Sequence, residues 1–201
     1  MRNPDLLLYA VHIVFWLSFW VTRTVLGRGS AKSAPVEGPA VEAAAPVTAP
    51  FSRTVLAFHM FGFFVLYFGI ANTVIPRRVP EWFPGQRIVG TAVIVLGGLL
   101  LNWAVRSFHS WRFRAKLDEG HQLATGGPFA FLRHPIYMAM ALLALGSAIW
   151  APTPIVWAGF VLIAIGSDLR GRSEEKLLVQ AFGDRYVEYC KHAKRFIPGV
   201  Y

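Results

Sequence analysis

Cysteine is nearly absent from this sequence, since Cys190 is the single one among 201 residues. One thiol cannot form an internal disulfide, and a cysteine metal site needs several thiolates. The histidines do not supply a metal site either, because His12, His59, His109 and His192 show no metal-ligand spacing and are interpreted as structural. The sequence therefore predicts no disulfide framework and no metal, with Cys190 as a partly buried, inert thiol.

The signatures of soluble nucleotide-binding and hydrolytic folds are also missing. A soluble dinucleotide or methyl-donor fold requires strands that alternate with helices and a G-x-G-x-x-G turn, and neither occurs in this sequence. No Ser/His/Asp arrangement for nucleophilic catalysis is recognisable. Any chemistry in this chain must therefore use a different kind of site.

Charged residues are scarce, at 15% of the chain, whereas 55% of the residues are hydrophobic and the mean hydropathy is +0.45. A soluble fold of this composition would expose large apolar patches. The net charge of +9 does not indicate a nucleic-acid partner, because the lysines and arginines flank apolar runs. The composition predicts an integral membrane protein in contact with membrane lipids, with no nucleic acid as a partner.

Three apolar runs predict membrane spans at about Pro4–Leu26, Thr54–Ile75 and Ile88–Val105. The first is interpreted as a retained span, because no small-residue cleavage site follows it. Residues 27–52 are rich in Ala, Pro, Gly and Ser, which predicts a flexible cytosolic loop. The Gly97-Gly98 pair in the third run predicts close packing between helices.

No formal charge occurs from Pro135 to Ser167, a stretch that would form one helix of about 50 Å, too long for the bilayer. Pro152 and Pro154 divide it into two rather short helices, which form a hairpin and return the chain to the side that it left. The sequence thus predicts a single all-α domain over residues 1–201. This domain is an integral membrane bundle of about five transmembrane helices, followed by a cytosolic C-terminal helix.

The hairpin also predicts that residues 106–133 and the tail after Asp168 lie on the same face of the membrane. These two segments carry 12 of the 20 lysines and arginines. The inside-positive bias places that face in the cytoplasm. Counting back through the spans predicts a multi-pass protein with its N-terminus outside and its catalytic half, residues 106–201, facing the cytoplasm.

Polar and aromatic side chains gather at the cytoplasmic ends of the predicted hairpin. Arg170 and Glu174 are four residues apart and therefore share one face of a helix. His134 precedes the helix start at Pro135, and Tyr137 follows one turn later. Taken singly, these residues suggest an interfacial ion pair, a helix cap and an interfacial tyrosine. Ionisable groups at the end of an apolar helix that faces a bundle are more often functional.

The combined pattern is much more specific than its parts. Residues 121–137 read H-x-L-x-T-x-G-P-F-x-x-x-R-H-P-x-Y, residues 170–189 read R-x-x-x-E-E-x-x-L-x-x-x-F-G-x-x-Y-x-x-Y, and an I-P pair follows at 197–198. This pattern resembles the isoprenylcysteine carboxyl methyltransferase family over about residues 114–198. The first three spans match only in being apolar and suitably placed. The resemblance implies a membrane enzyme that binds S-adenosylmethionine between the hairpin and the loop before it.

Carried over residue by residue, the resemblance implies a donor-binding set of His121, Gln122, Leu123, Ala124, Phe129, His134, Pro135, Ile136, Tyr137 and Glu174. It implies that Glu174 holds the donor and that Arg170 binds the acceptor substrate, so these two are the candidate catalytic residues. The chemistry agrees, because a carboxylate suits an ammonium group, the rings of Tyr137 and Phe129 suit a sulfonium and an adenine, and an arginine suits a carboxylate acceptor. Phe129 stands where the family often has Tyr.

The expected acceptor is a lipophilic small molecule or a lipidated substrate from the bilayer, most like the carboxylate of an isoprenylcysteine. One alternative is a phospholipid amine or thiol methyltransferase of the same superfamily. Another is an NADPH-dependent enzyme similar to sterol reductases, which share the R-H-P-x-Y element but usually have Asn at the position of Ile136 and lack the Glu174-Glu175 pair. A non-enzymatic scaffold would have no reason to gather these side chains at one face.

The residues after Glu175 carry a helical pattern of Leu178, Phe182, Arg185 or Tyr186, and Tyr189. This spacing predicts an amphipathic helix that lies on the bundle or on the lipid surface. A lid that closes the donor pocket from the cytoplasm is a second, compatible interpretation.

Overall fold

The computed structural model describes residues 5–29, 52–75, 79–107, 123–197 and 199–200 of the chain. Its six α-helices are α1 (Asp5–Gly29), α2 (Ser52–Val74), α3 (Gln86–Ser107), α4 (Pro135–Trp150), α5 (Pro154–Phe182) and α6 (Asp184–His192). A short 3₁₀ helix, Gly127–Ala130, precedes α4. The all-α prediction is confirmed.

Four of these helices, α1, α2, α3 and α5, are long and apolar enough to cross a membrane, by length and composition. The apolar helix α4 is shorter. Its 16 residues correspond to about 24 Å, which is less than the thickness of a hydrocarbon core of about 30 Å. Large apolar side chains cover the outer surface: Ile13, Phe64 and Leu99 are 64%, 63% and 64% exposed. Such a surface requires lipid around it, so the chain is an integral membrane protein.

The boundaries of α1, α2 and α3 follow the predicted spans closely and shorten the predicted loop. In the hairpin, α5 has 29 residues and continues to Phe182, so the prediction of two rather short helices is wrong for α5. α1 continues to Gly29 and α2 begins at Ser52, so both ends of the 27–52 segment are helical. The rest of that segment lies outside the described residues. The structure gives four helices of spanning length and one shorter apolar helix where the sequence predicts about five transmembrane helices.

Close approach between neighbouring helices depends on glycine. α3 packs along α4 and α2 packs along α5. A Cβ atom on Gly90 would lie 2.6 Å from the carbonyl oxygen of Gly146, and one on Gly159 would lie 2.6 Å from the Cα of Leu66. Gly97 also faces the α4 backbone, as predicted for its pair, whereas Gly98 faces the ring of Phe15 with ordinary room. Small residues thus bring the backbones together as in other bilayer proteins.

The hairpin turn lies at the prolines, as predicted. α4 ends at Trp150, and the N–H of Ala151 donates to the carbonyl oxygen of Ser147 at 2.8 Å. Pro154 then occupies the first turn of α5, where its missing N–H costs no helical hydrogen bond. α4 and α5 pack against each other. At the end of the hairpin remote from the turn, the start of α4 therefore lies beside α5.

A group of uncharged polar side chains lies among α1, α2 and α4. His12 Nδ1 lies 3.1 Å from the hydroxyl of Tyr67, and its Nε2 lies 2.9 Å from Oγ of Ser147. Trp16 donates its indole N–H to the same tyrosine hydroxyl at 2.7 Å. These four residues are called the core polar cluster below. Their hydrogen bonds tie α1 to the other helices, which agrees with the structural interpretation of His12.

Candidate functional site

The hairpin brings the start of α4 against the part of α5 that follows its apolar run. His134 Nδ1 lies 3.8 Å from Oε2 of Glu174, and the hydroxyl of Tyr137 donates to Oε1 of the same carboxylate. The rings of His134 and Tyr137 stack at a centroid distance of 5.7 Å. These contacts confirm that the glutamate on α5 meets the histidine and tyrosine that precede the hairpin.

Arg170 lies on the same side of α5 as Glu174, one turn earlier. Its Nη2 is 3.9 Å from Oε1 of Glu174, and its guanidinium carbon lies 5.0 Å from the centroid of the Tyr137 ring. At that distance a guanidinium is attracted by the face of an aromatic ring. Arg170 is 11% exposed, so its charge is held largely inside the protein.

The neighbouring carboxylate, Glu175, is surrounded by donors. Its Oε1 accepts from Nε of Arg133 at 3.0 Å, from Nε2 of His134 at 3.1 Å and from Nε of Arg195 at 3.0 Å. Its Oε2 accepts from Nη2 of Arg195 at 2.7 Å. Arg133, His134, Tyr137, Arg170, Glu174, Glu175 and Arg195 form what is called the charged site below.

The two adjacent glutamates therefore have different environments. Glu175 is 14% exposed and is bound by two guanidinium groups at hydrogen-bond distance. Glu174 is 26% exposed, receives its hydrogen bond from a phenol, and lies at the longer distances of 3.8 and 3.9 Å from His134 and Arg170. The negative charge of Glu175 is thus compensated within the protein, whereas Glu174 has capacity to accept from a further cation.

The C-terminal part of the chain closes against the loop that precedes α4. Tyr189 on α6 donates its hydroxyl to the carbonyl oxygen of Phe129 at 2.7 Å. Burial raises the pKa of Tyr189 well above the ordinary tyrosine value, so this hydroxyl stays protonated and remains a donor. Phe129 itself is 7% exposed. This hydrogen bond therefore joins the 3₁₀ helix to α6.

A buried histidine of α2 lies behind Tyr137. The His59 ring is fully buried and makes an edge contact with the Tyr137 ring at 6.1 Å. Its Nε2 lies 3.3 Å from Oγ of Ser167, one turn before Arg170. Gly166 makes room for it, since a Cβ there would lie 3.0 Å from the His59 Cα. The sequence predicts a structural role for His59, and the structure places it next to the charged site.

The other predicted donor-binding residues fall partly inside and partly outside the described ranges. His121 and Gln122 lie outside the described residues, whereas Leu123 and Ala124 are described and half-buried. Pro135 begins α4, and both it and Ile136 are buried. Among the described residues, no side chain caps the start of α4. The N–H groups of its first turn have no carbonyl one turn earlier in the helix to accept their hydrogen bonds.

Three members of the charged site, Arg133, Glu175 and Arg195, are not among the predicted site residues. Arg133 belongs to the R-H-P-x-Y element of the sequence pattern. Glu175 belongs to the E-E pair of the sequence pattern, and that adjacency is the signal that could have identified it. Arg195 has no such signal, because only the tertiary return of the C-terminal segment brings it to Glu175. Among the residues that the structure describes, no group of three His, Cys, Asp or Glu side chains has a geometry suited to a metal ion.

The fold and the charged site define a class, an all-helical integral membrane protein with a buried ion-pair site at the end of a helical hairpin. Residues 86–185 match the family model described as phospholipid methyltransferase. Three relatives are protein-S-isoprenylcysteine O-methyltransferases. The B form of Arabidopsis thaliana is 30% identical over 116 residues, with 55% of this chain and 58% of the relative covered. The human protein is 31% identical over 119 residues, covering 56% and 41%, and the Saccharomyces cerevisiae protein is 32% identical over 119 residues, covering 56% and 49%.

Residues 86–185 match the phospholipid methyltransferase family, and the relatives confirm the predicted similarity to isoprenylcysteine carboxyl methyltransferases. The chain covers less than two thirds of the length of each of these relatives. The family match includes α3, the hairpin and the charged site up to Glu175. It does not include α1 or α2.

Proposed function

We propose that this chain is a membrane methyltransferase that transfers a methyl group from S-adenosylmethionine to a lipophilic acceptor, most like the carboxylate of an isoprenylcysteine. The observation that carries the proposal is the difference between the two adjacent glutamates. Glu175 is compensated by Arg133 and Arg195, while Glu174 is more exposed and bound mainly by a phenol. A partly exposed carboxylate that can accept further hydrogen bonds suits a cationic ligand.

The residues around Glu174 fit the other groups of the methyl donor. Its ammonium would be held by Glu174, and its carboxylate by N–H groups in the uncapped first turn of α4, at Ile136 and Tyr137. The aromatic faces of Tyr137 and Phe129 suit the sulfonium and the adenine. The earlier loop, with His121, Gln122, Leu123 and Ala124, would complete this pocket. When bound, the donor supplies a methyl group activated by its sulfonium charge.

Arg170 serves the acceptor in this proposal. It is mostly buried and lies over the Tyr137 ring, beside the carboxylate that would hold the donor. A guanidinium binds a carboxylate through paired, geometrically specific hydrogen bonds. Methylation of a carboxylate requires no proton removal, so these residues align and desolvate the reactants. Glu174 and Arg170 are therefore the proposed catalytic residues, one for each reactant.

The acceptor would reach the site from the bilayer. The relatives' names specify an isoprenylcysteine, which is a lipidated substrate of this kind. The inside-positive bias supports a site that faces the cytoplasm, with the N-terminus outside. A phospholipid amine is the second candidate acceptor, because the matched family model is described as phospholipid methyltransferase. An amine acceptor additionally loses a proton, for which the site would need a base.

Ligand binding to the detergent-purified protein tests the proposal. We expect calorimetry to show binding of S-adenosylhomocysteine, the product form of the donor, and no binding of NADPH. Glu174→Ala is expected to abolish this binding, whereas Glu188→Ala, at a carboxylate that is 60% exposed on α6, is expected to retain it. Binding of NADPH without binding of S-adenosylhomocysteine would instead favour a reductase.

A labelled-methyl assay in membranes then distinguishes the acceptors. The proposal predicts transfer to a farnesylated cysteine with an unblocked carboxylate and none to its carboxamide. Transfer to phosphatidylethanolamine, with none to the farnesylated cysteine, would favour the phospholipid amine function.

A further inference from the structure

The segment after α6 crosses back over the start of α4. The N–H of Lys194 donates to the carbonyl oxygen of Phe131 at 3.0 Å. In return, the N–H groups of Arg133 and His134 donate to the carbonyl oxygens of Lys194 and Arg195 at 2.7 and 3.3 Å. Residues 193–196 are called the C-terminal strap below. The strap fixes the backbone of the two residues that lead into α4.

The strap also reaches the charged site through a side chain. Arg195 binds both oxygens of Glu175, with Nε at 3.0 Å and Nη2 at 2.7 Å, and its Nη1 lies 3.4 Å from Oδ1 of Asp168. Arg195 and Glu175 are 15% and 14% exposed, so this paired contact is mostly shielded from water. A bidentate arginine–carboxylate contact fixes orientation as well as charge. Arg195 therefore fixes the orientation of the Glu175 carboxylate together with Arg133 and His134.

The fixed Glu175 carboxylate in turn orients His134, which lies beside Glu174. It accepts from Nε2 of His134 at 3.1 Å, which turns the opposite ring nitrogen toward Glu174. The same imidazole stacks on Tyr137, and Phe196 of the strap packs against it at a centroid distance of 6.0 Å. The strap thus holds His134 by a backbone hydrogen bond, a ring contact and the link through Glu175.

We infer that Arg195 is a positioning residue of the methyl-donor site, and that the C-terminal strap is part of that site although it lies beyond residues 86–185, which the family model matches. The inference rests on the proposed function for the identity of the ligand. Arg195 acts through Glu175 and His134 and need not touch the donor. A surface ion pair would have no such effect, because it would be exposed and would leave the orientation of His134 unchanged.

Two variants test this assignment, with a matched control. Arg195→Gln removes the charge and the paired contact, whereas Arg195→Lys keeps the charge and loses the planar fork. Lys191→Gln removes a cation that is 64% exposed and bound to Glu188 on α6, so it reproduces the change in net charge away from the site. Each purified variant is compared with the unmodified chain by calorimetry with S-adenosylhomocysteine and by amide hydrogen exchange without ligand.

We expect Arg195→Gln to weaken S-adenosylhomocysteine binding about tenfold and Arg195→Lys to weaken it by a smaller factor. Lys191→Gln should stay within about twofold of the unmodified chain. Hydrogen exchange in the peptide that contains Arg133 and His134 should be faster in Arg195→Gln and unchanged in the control. Unchanged binding in a folded Arg195→Gln protein would overturn the assignment.

A double-mutant cycle with Glu175→Gln tests whether Arg195 affects S-adenosylhomocysteine binding through Glu175. If Arg195 acts through Glu175, the double variant should bind no more weakly than Glu175→Gln alone. Additive losses would contradict the inference. Should Arg195→Gln fail to fold, the same cycle with Arg195→Lys gives the answer. If the unmodified chain itself binds no S-adenosylhomocysteine, the proposed function fails, while hydrogen exchange still tests whether Arg195 positions the start of α4.

Discussion

The charged site at the end of the hairpin and the core polar cluster within the bundle both join helices through polar side chains, yet they are built from different chemistry. The core polar cluster uses an imidazole, an indole, a phenol and a hydroxyl, joined by hydrogen bonds between 2.7 and 3.1 Å. The charged site contains three arginines and two adjacent glutamates. Uncharged groups suffice to join helices, and they avoid the desolvation cost of buried charge.

The comparison indicates what the charges at the hairpin end are for. Each pair of opposite charges there carries a desolvation cost that a packing role does not justify. The charged pairs lie at one end of the bundle, where Glu174 is partly exposed and lies near the start of α4. We therefore expect changes in the charged site to act on ligand binding, and changes in the core polar cluster to act on stability alone.

The largest expected effect follows from neutralising Glu174. Glu174→Gln keeps the shape of the side chain and removes the charge that the donor's ammonium would need. We expect S-adenosylhomocysteine binding to weaken about 100-fold, as for other buried charge pairs that lose one partner. The measurement is calorimetry, and Glu188→Gln on α6 serves as the matched control. Equal binding by the two variants would separate Glu174 from the donor site.

A pair of identical substitutions compares the two clusters directly. Tyr137→Phe removes the hydroxyl that donates to Glu174, and Tyr67→Phe removes the hydroxyl that bonds His12 and Trp16. We expect Tyr137→Phe to weaken S-adenosylhomocysteine binding about tenfold, because a hydrogen bond to a charged group is lost. Tyr67→Phe should leave binding within about twofold. Calorimetry on both proteins gives the comparison.

The reverse result would break the distinction between the clusters. If Tyr67→Phe lowered binding as much as Tyr137→Phe in folded protein, the core polar cluster would have to be counted as part of the ligand site. If neither variant changed binding, the Tyr137 hydroxyl would be only a structural partner of Glu174.

Much of this architecture is predictable from the sequence, since bilayer thickness and proline geometry leave few choices. The uncharged runs locate α2 and α3 to within about two residues, and Pro152 and Pro154 locate the hairpin turn. The approach of Glu174 to His134 and Tyr137 then follows from the folding back of α5 on α4. These elements are local in sequence or depend on one turn.

Other features depend on tertiary contacts that no periodicity reveals. The C-terminal strap has no helical or strand pattern of its own, so the pairing of Arg195 with Glu175 is visible only in the folded chain. His12 and Tyr67 stand in ordinary apolar helices, and nothing in their spacing predicts that they meet. Adjacent glycines likewise look equivalent in sequence, although Gly97 faces a backbone and Gly98 faces a ring.

The smallest expected effect concerns His12. His12→Leu removes two hydrogen bonds, yet each former partner keeps another: Tyr67 still accepts from Trp16 at 2.7 Å, and Ser147 still donates to the carbonyl oxygen of Leu143 at 2.6 Å. No buried polar atom of these partners is therefore left without a hydrogen bond, and the loss of stability should be about 1 kcal/mol. For a chain of this length that corresponds to a thermal midpoint lower by about 2–4 °C.

The measurement for His12→Leu is thermal unfolding in detergent, followed by calorimetry with S-adenosylhomocysteine on the folded protein. We expect the midpoint to fall slightly and the ligand affinity to stay within about twofold, because His12 bonds to residues of α2 and α4 that are not part of the charged site. A large loss of affinity at an unchanged midpoint would show that the core polar cluster is coupled to the charged site through α4. In that case burial of uncharged polar groups in this bundle would serve ligand binding as well as packing.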